Sequence, residues 1–182
     1  MQPSLSTQRL LLRPYVSADG PAVQRLAGDP RVADATTAIP HPYPDGAAQA
    51  WIATHPASYL ARKEITFAVA LRTSGELVAT VSLLDISSYH ARAELGYWTG
   101  VPFWGSGYCT EAVTRLIVFA RESLGVTKVV GRCLARNPAS ARVMEKAGLV
   151  REGYLVKHTL KNGKYEDIVL YGAVFPSRGS EV

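Results

Sequence analysis

The sequence predicts an α/β domain built on a mixed central sheet. Three observations carry that prediction. An early pair of period-two apolar runs meets at a turn, two strand-to-helix units follow, and a late pair of strands closes on Asn162-Gly163.

In chain order, "RLLLRPYV" reads as an opening strand, and "SADGPAVQRLAGD" as a short helix that Ser17 or Asp19 would cap. From Pro30 to Pro44 the chain is rich in Pro, Ala and Thr without clean periodicity, which predicts a loop. Asp45 would cap the next helix, "GAAQAWIATHPASYLA", with Pro56 ending or kinking its regular part. "ITFAVALR" places Ile65, Phe67, Val69 and Leu71 at period two, a strand with one apolar face. "TSGE" turns it back into "LVATVSLLDI", making an antiparallel hairpin.

The strand Glu94 to Gly100 comes next, then a Gly-rich corner. From Thr110 to Ser123 the residues Ala112, Leu116, Phe119 and Ala120 fall at helical spacing, and Gly125 stops the helix. "TKVVGRCLA" is a buried-looking strand. "NPASARVMEKAG" is a helix with Asn137 as cap, Pro138 at its first position and Gly148 as stop. Asn162-Gly163 joins the last two strands.

At 182 residues and 47% hydrophobic, the chain is long enough for one well-packed core and short for two. The reading is one domain over residues 1–176, with "SRGSEV" as an unordered tail. The net charge of +5 suits an anionic ligand, but Lys and Arg do not interleave with aromatics as a nucleic-acid surface requires. The two cysteines, Cys109 and Cys133, are too few for a disulfide framework and lack metal-ligand spacing, so no metal is expected. Arg9 and Arg13 interrupt the first apolar stretch and no apolar run approaches membrane length. The expectation is a cytoplasmic, membrane-free protein.

"WGSGYCTEAV" sets Gly105 and Gly107 at the mouth of a helix. Glycines there permit a tight turn that would aim the N–H groups of Ser106 to Cys109 outward at the positive helix end, a nest suited to phosphate oxygens. The same pattern also fits a plain helix entry. Other phosphate motifs fail: the third glycine of a dinucleotide fingerprint would fall on Thr110, and no Lys-Ser/Thr pair follows.

The Gly-rich corner after "AELGYW", the "NPASARVMEKAG" helix one strand later and the opening "TQRLLLRP" together resemble the GNAT superfamily of acyl-CoA N-acyltransferases. They look most like its RimJ/RimL-like ribosomal-protein N-acetyltransferase branch. The likeness covers nearly the whole chain, in order. It implies a mixed, mostly antiparallel sheet flanked by helices on both faces, with acetyl-CoA as co-substrate. It also implies that Trp104, Gly105, Ser106, Gly107, Tyr108, Cys109 and Thr110 cradle the pyrophosphate. The pantetheine arm would then lie along Tyr97, Trp98, Thr99 and Val101, with Asn137 reaching the same arm. One departure stands out: the family pattern starts with Arg or Gln three residues before the first glycine, and here that residue is Pro102. Arg142 and Lys146 on the later helix are the nearby cations that would serve instead, unless they are simply a solvated helix face.

Acyl transfer to an amine needs a neutral amine and a proton for the departing thiolate. Strand alternation puts Glu94, Gly96 and Trp98 on one face, with Gly96 leaving space beside the carboxylate. Glu94 is the expected general base, acting through a water. Many relatives place a Tyr on the helix after the Asn for the thiolate. This helix has none, and Ser140, one turn in, takes the thiol-side hydrogen bond by resemblance. Cys109 in a helix's first turn raises a covalent alternative through a lowered thiol pKa. His41, Tyr43, His55, His158 and Tyr165 are possible acceptor contacts.

The resemblance implies a protein N-terminal α-amine as acceptor and allows a homodimer. An α-amine at about 7.7–8.0 is partly neutral already, unlike Lys at about 10.4. Antibiotics, amino acids or polyamines are alternative acceptors, and a non-catalytic acetyl-CoA-binding module is the alternative to an enzyme.

Overall fold

The computed structural model describes residues 1–176. The tail expected to be unordered, residues 177–182, lies outside the described residues. The chain opens with two short strands, β1 (Leu5–Ser6) and β2 (Leu10–Arg13), and a 3-10 turn at Ser17–Asp19 leading into α1 (Gly20–Ala27). Asp19 does not cap α1. Its carboxylate accepts two hydrogen bonds from Arg13, at 2.7 and 2.8 Å, and one from the Val16 amide. Ser17 opens the 3-10 turn and makes no cap bond.

The expected loop from Pro30 begins instead as a helix, α2 (Pro30–Ala35), because Asp29 caps it by accepting the Arg31 amide and Pro30 fits the first helical position. The helix is too short to show periodicity. α3 (Ala47–Leu60) follows. Asp45 is not its cap: Gly46, left-handed at φ 75°, turns the chain into the helix without a side-chain bond. Pro56 does not end α3, which runs another turn to Leu60 and is pinned by buried Ile52 and His55.

The sheet then builds through β3 (Ile65–Leu71), β4 (Leu77–Ser87) and β5 (Arg92–Thr99), each antiparallel to the last. A 3-10 turn at Val101–Phe103 and the glycine corner lead into α4 (Tyr108–Leu124), which starts two residues before the expected Thr110 and ends on left-handed Gly125. β6 (Lys128–Leu134), α5 (Pro138–Lys146), β7 (Val150–Lys161) and β8 (Lys164–Val174) complete the described chain. Asn137 caps α5 by accepting the Ser140 amide, and Asn162 and Gly163 both take positive φ in the β7–β8 turn.

Among the described residues eight strands run β1-β2-β3-β4-β5-β6-β8-β7, and β5/β6 is the one parallel pair. Helices cover both faces. Phe67, Leu83, Leu95 and Cys133 pack under α4 and α5, where Phe67 and Phe119 meet edge-on at 5.8 Å. Ala68, Leu77 and Trp98 pack under α1 and α3. β3 is therefore buried on both faces rather than one; Thr66, Ala68 and Ala70 are small enough for the second helix layer to close over them. Truncating Phe67 would cost about 3–5 kcal/mol. Among the described residues, no helix is long and apolar enough to cross a membrane.

Candidate active site

The β5/β6 pairing ends at Leu95↔Gly131, although β5 continues to Thr99 and β6 to Leu134. From Gly96 to Thr99, β5 keeps β4 on one side and has an open edge on the other. Two cavities meet at this opening.

The first, of about 400 Å³, is lined by Tyr97, Trp98 and Thr99 of β5, by Trp104, Gly105, Gly107, Tyr108, Cys109 and Thr110 of the glycine corner, and by Asn137, Ser140, Arg142 and Lys146 of α5 and its cap. The sequence-predicted cofactor residues thus assemble in one place, apart from two. Val101 packs against the α1/α3 core, and Ser106 is exposed and offers its carbonyl to Arg9 at 3.0 Å.

Gly105 and Gly107 take φ 77° and 78°, a conformation costly for other residues, and no heavy atom lies within 4 Å of a Cβ added at Gly105. By helix geometry the amides of Tyr108, Cys109 and Thr110 have no intrahelical acceptor. Trp104, half exposed, donates its indole N–H to the Thr99 carbonyl at 2.7 Å and walls the cavity. The Thr99 hydroxyl is buried without a partner. An open strand edge, a free helix N-terminus and an orphaned hydroxyl, with Arg142 and Lys146 exposed at the rim, fit a long polar ligand ending in phosphates.

Arg9 is a cation that sequence reasoning missed here. It spans Glu111, at 2.7 Å, and the Ser106 carbonyl, and its guanidinium lies 4.6 Å above the Tyr108 ring. It braces the corner from the first strand pair.

The second cavity, of about 550 Å³, has the α1/α3 face of β4–β6 as its floor, with Ser82, Glu94, Gly96 and Arg132 among the floor residues. Glu94 pairs with Arg132 through Nε and Oε1 at 2.7 Å. The space at Gly96 is not empty: a Cβ there would meet Leu84 Cδ1 at 2.9 Å, so this glycine makes room for Leu84 rather than for a reacting group. Trp51, Tyr43 and Ile39 form a wall. Of the five possible acceptor contacts only Tyr43 lines this cavity. His41, His158 and Tyr165 are exposed outside it, and His55 is buried behind Trp51.

Ala35, Thr36, Tyr97, Trp98 and Ser140 line both cavities and mark their junction. There Tyr97 Oη lies 2.8 Å from Ser140 Oγ and donates to the Ser140 carbonyl at 3.1 Å. Burial raises the Tyr97 phenol far above its usual range, so it stays protonated. The Ser140 amide is already bound by Asn137 Oδ1, and Asn137 Nδ2 donates to the Ala35 carbonyl at 3.0 Å. Both ends of the Asn137 amide are thereby occupied within the protein. Cys109 faces the covalent alternative badly: burial pushes its thiol up to about 11, opposite to an activated nucleophile.

The α2 segment that roofs the junction is clamped at its C-terminal end. Arg136 holds the Asp34 carboxylate at 2.8 and 2.9 Å and Glu166 at 2.9 Å, while Lys161 donates to the Ala33 carbonyl at 2.7 Å. These contacts bind carbonyls and charges that a six-residue helix cannot satisfy itself. Nothing in the local sequence signals the two that reach α2, since they join residues 102 and 128 positions apart.

The family model described as "Acetyltransferase (GNAT) domain" matches residues 9–150. The "Uncharacterized N-acetyltransferase YoaA" of Bacillus subtilis strain 168 is 27% identical over 97% of this chain and 99% of its own length. The "Ribosomal-protein-serine acetyltransferase" of Escherichia coli K12 is 30% identical over 57% of this chain, a match spanning 58% of that enzyme. Among solved structures, RimL, a ribosomal L7/L12 α-N-protein acetyltransferase in complex with coenzyme A, superposes with a TM-score of 0.86 at 18% identity, over 95% of this chain and 98% of its own. That likeness is one of fold.

Proposed function

This chain belongs to the GNAT acetyltransferase family and is an acetyl-CoA-dependent N-acetyltransferase, and on that premise we propose that it acetylates a protein N-terminal α-amine at the junction of its two cavities. One observation carries the reading: a cavity built on the glycine corner and a cavity floored by Glu94 share Tyr97 and Ser140. Acetyl-CoA supplies an acyl group activated as a thioester.

The chain's own residues do the rest. The open edge of β5 and the amides at the start of α4 bind the co-substrate, with Arg142 and Lys146 facing its phosphates. Glu94, held by its ion pair with Arg132, takes the ammonium proton through a water. Tyr97 keeps its donation to the Ser140 carbonyl, and the Ser140 hydroxyl, 2.8 Å from Tyr97 Oη, turns its own proton into the junction to hydrogen-bond the departing sulfur. Cys109 takes no covalent part.

The E. coli relative's name specifies a ribosomal protein, which supports a polypeptide acceptor. The acid–base demand favours its α-amine, because an amine titrating at about 7.7–8.0 asks less of a base than a Lys side chain does. The test is calorimetric titration with acetyl-CoA, free CoA and NAD, followed by turnover on N-terminal peptides. Micromolar binding of the CoA pair alone and acetylation of free but not blocked N-termini are expected. Equal binding of NAD would overturn the site, and acetylation of Lys side chains alone would overturn the acceptor.

A further inference from the structure

The acceptor-side cavity has a polar floor and an aromatic wall. On the floor Glu94 is paired with Arg132, Ser82 shares a 2.8 Å bond with Thr66, and Thr66 also donates to Glu64 at 2.8 Å. Both carboxylates that line the cavity, Glu64 and Glu94, come from the sheet side. The wall opposite is Trp51 on α3 with Tyr43, Ile39 and Val23.

What stands behind Trp51 keeps that wall uncharged. The His55 ring meets the indole edge-on at 4.4 Å, and Tyr15 meets it at 5.3 Å. His55 is 5% exposed and neither ring nitrogen has a partner. Tyr15 places its hydroxyl 2.5 Å from Thr80 Oγ1. Burial lowers the imidazole to about 4 and raises the phenol, so both rings are neutral near pH 7. A chain that leaves a histidine unpaired here has built an apolar surface at a cost.

A cavity of about 550 Å³ is in the range that encloses a small-molecule-sized group. A methyl or hydroxymethyl beside the amine would leave water against the indole and Ile39. A polyamine would set further ammonium groups along a wall that bears no carboxylate. We infer that the reacting amine is carried on a bulky apolar group that lies against Trp51, Tyr43 and Ile39. This rests on the acetyltransferase reading, and for a polypeptide acceptor it specifies a large aliphatic or aromatic N-terminal residue. Each buried methylene is worth a factor of about 4, so a Leu N-terminus should exceed Ala by at least about tenfold.

The experiment compares kcat/KM for peptides identical except for an N-terminal Leu, Phe, Ala, Ser or Glu, alongside the free amines isoamylamine, phenethylamine, ethanolamine and spermidine. Leu and Phe peptides are expected to lead by about tenfold or more. Trp51→Ala should lower kcat/KM for the Leu and Phe peptides far more than for the Ser peptide and so erase most of that lead. Ile39→Ser is the second variant should Trp51→Ala fold poorly, with acetyl-CoA binding as the check on folding. A lead for Ser or Ala peptides, for spermidine, or an unchanged ratio in both variants overturns the inference while the acetyltransferase reading stands. Turnover of the apolar free amines without turnover of any peptide upholds the inference and removes the N-terminal acceptor instead.

Discussion

Tyr97 Oη, on the open edge of β5, lies 2.8 Å from Ser140 Oγ, one turn into α5. The contact ties together the two elements that both cavities share. Without a tyrosine on α5, it brings a phenol to the same helix from the neighbouring strand.

Ser140→Ala should lower kcat by about a hundredfold to a thousandfold, the range for losing one donor to a developing anion, with acetyl-CoA affinity within about threefold. Tyr97→Phe keeps the ring and should cost less, about threefold to tenfold. Single-turnover kinetics separate these from product release. Unchanged turnover in Ser140→Ala would reduce the serine to a helix residue with no part in the chemistry.

Glu94→Gln should lower kcat/KM by about a hundredfold near pH 7. The deficit should shrink as pH rises past the amine's own range of about 7.7–8.0, where the free amine needs no base. A pH–rate profile is the measurement. A variant with full turnover at every pH would remove Glu94 from the mechanism.

Gly107→Ala places a side chain at φ 78° in the glycine corner; Gly75→Ala does the same at φ 73° in the β3–β4 turn. Both should lose about 1–2 kcal/mol of stability through backbone strain. Only the first should weaken acetyl-CoA binding, by about tenfold or more, as titration calorimetry would read. Equal affinity in both variants would mean the corner does not touch the co-substrate.

Arg136→Ala removes the clamp on Asp34, and the segment from Ala35 to Tyr43 should loosen. Limited proteolysis between residues 36 and 46 should speed up and the acceptor KM should rise. Unaltered proteolysis would show the segment holds itself.

His55→Phe tests the wall's neutrality through stability. In the folded chain burial lowers the imidazole to about 4, whereas unfolded it titrates near 6.5. Between those values the unfolded state binds the extra proton, so this residue's contribution makes stability fall as pH drops from about 6.5 to about 4 and adds no slope above it. The loss is on the order of 3 kcal/mol, and the Phe variant should lack it. Chemical denaturation at pH 4.5, 5.5 and 7 would measure the difference, and parallel slopes for both proteins would count against a buried neutral His55.

Local pattern determined much of this protein by itself. The β3–β4 hairpin, the α4 stop at Gly125, the Asn137 cap of α5 and the Asn162-Gly163 turn follow from periodicity and turn chemistry within a few residues. The cavity at the glycine corner was legible for the same reason: its glycines, helix start and cap lie in two short contiguous stretches. The Glu94 cavity was not, because its parts are brought together by tertiary contact. Arg132 reaches Glu94 from the next strand, Leu84 fills the space at Gly96, and Trp51 meets the ring of Tyr15 from a segment more than thirty residues earlier. Asp45 and Asp19 were misread because a left-handed glycine and a nearby arginine outcompeted the helix amides for their places. Residue spacing decides what a segment can become; which side chains share a cavity depends on the splay of β5 from β6 and the helices packed over it.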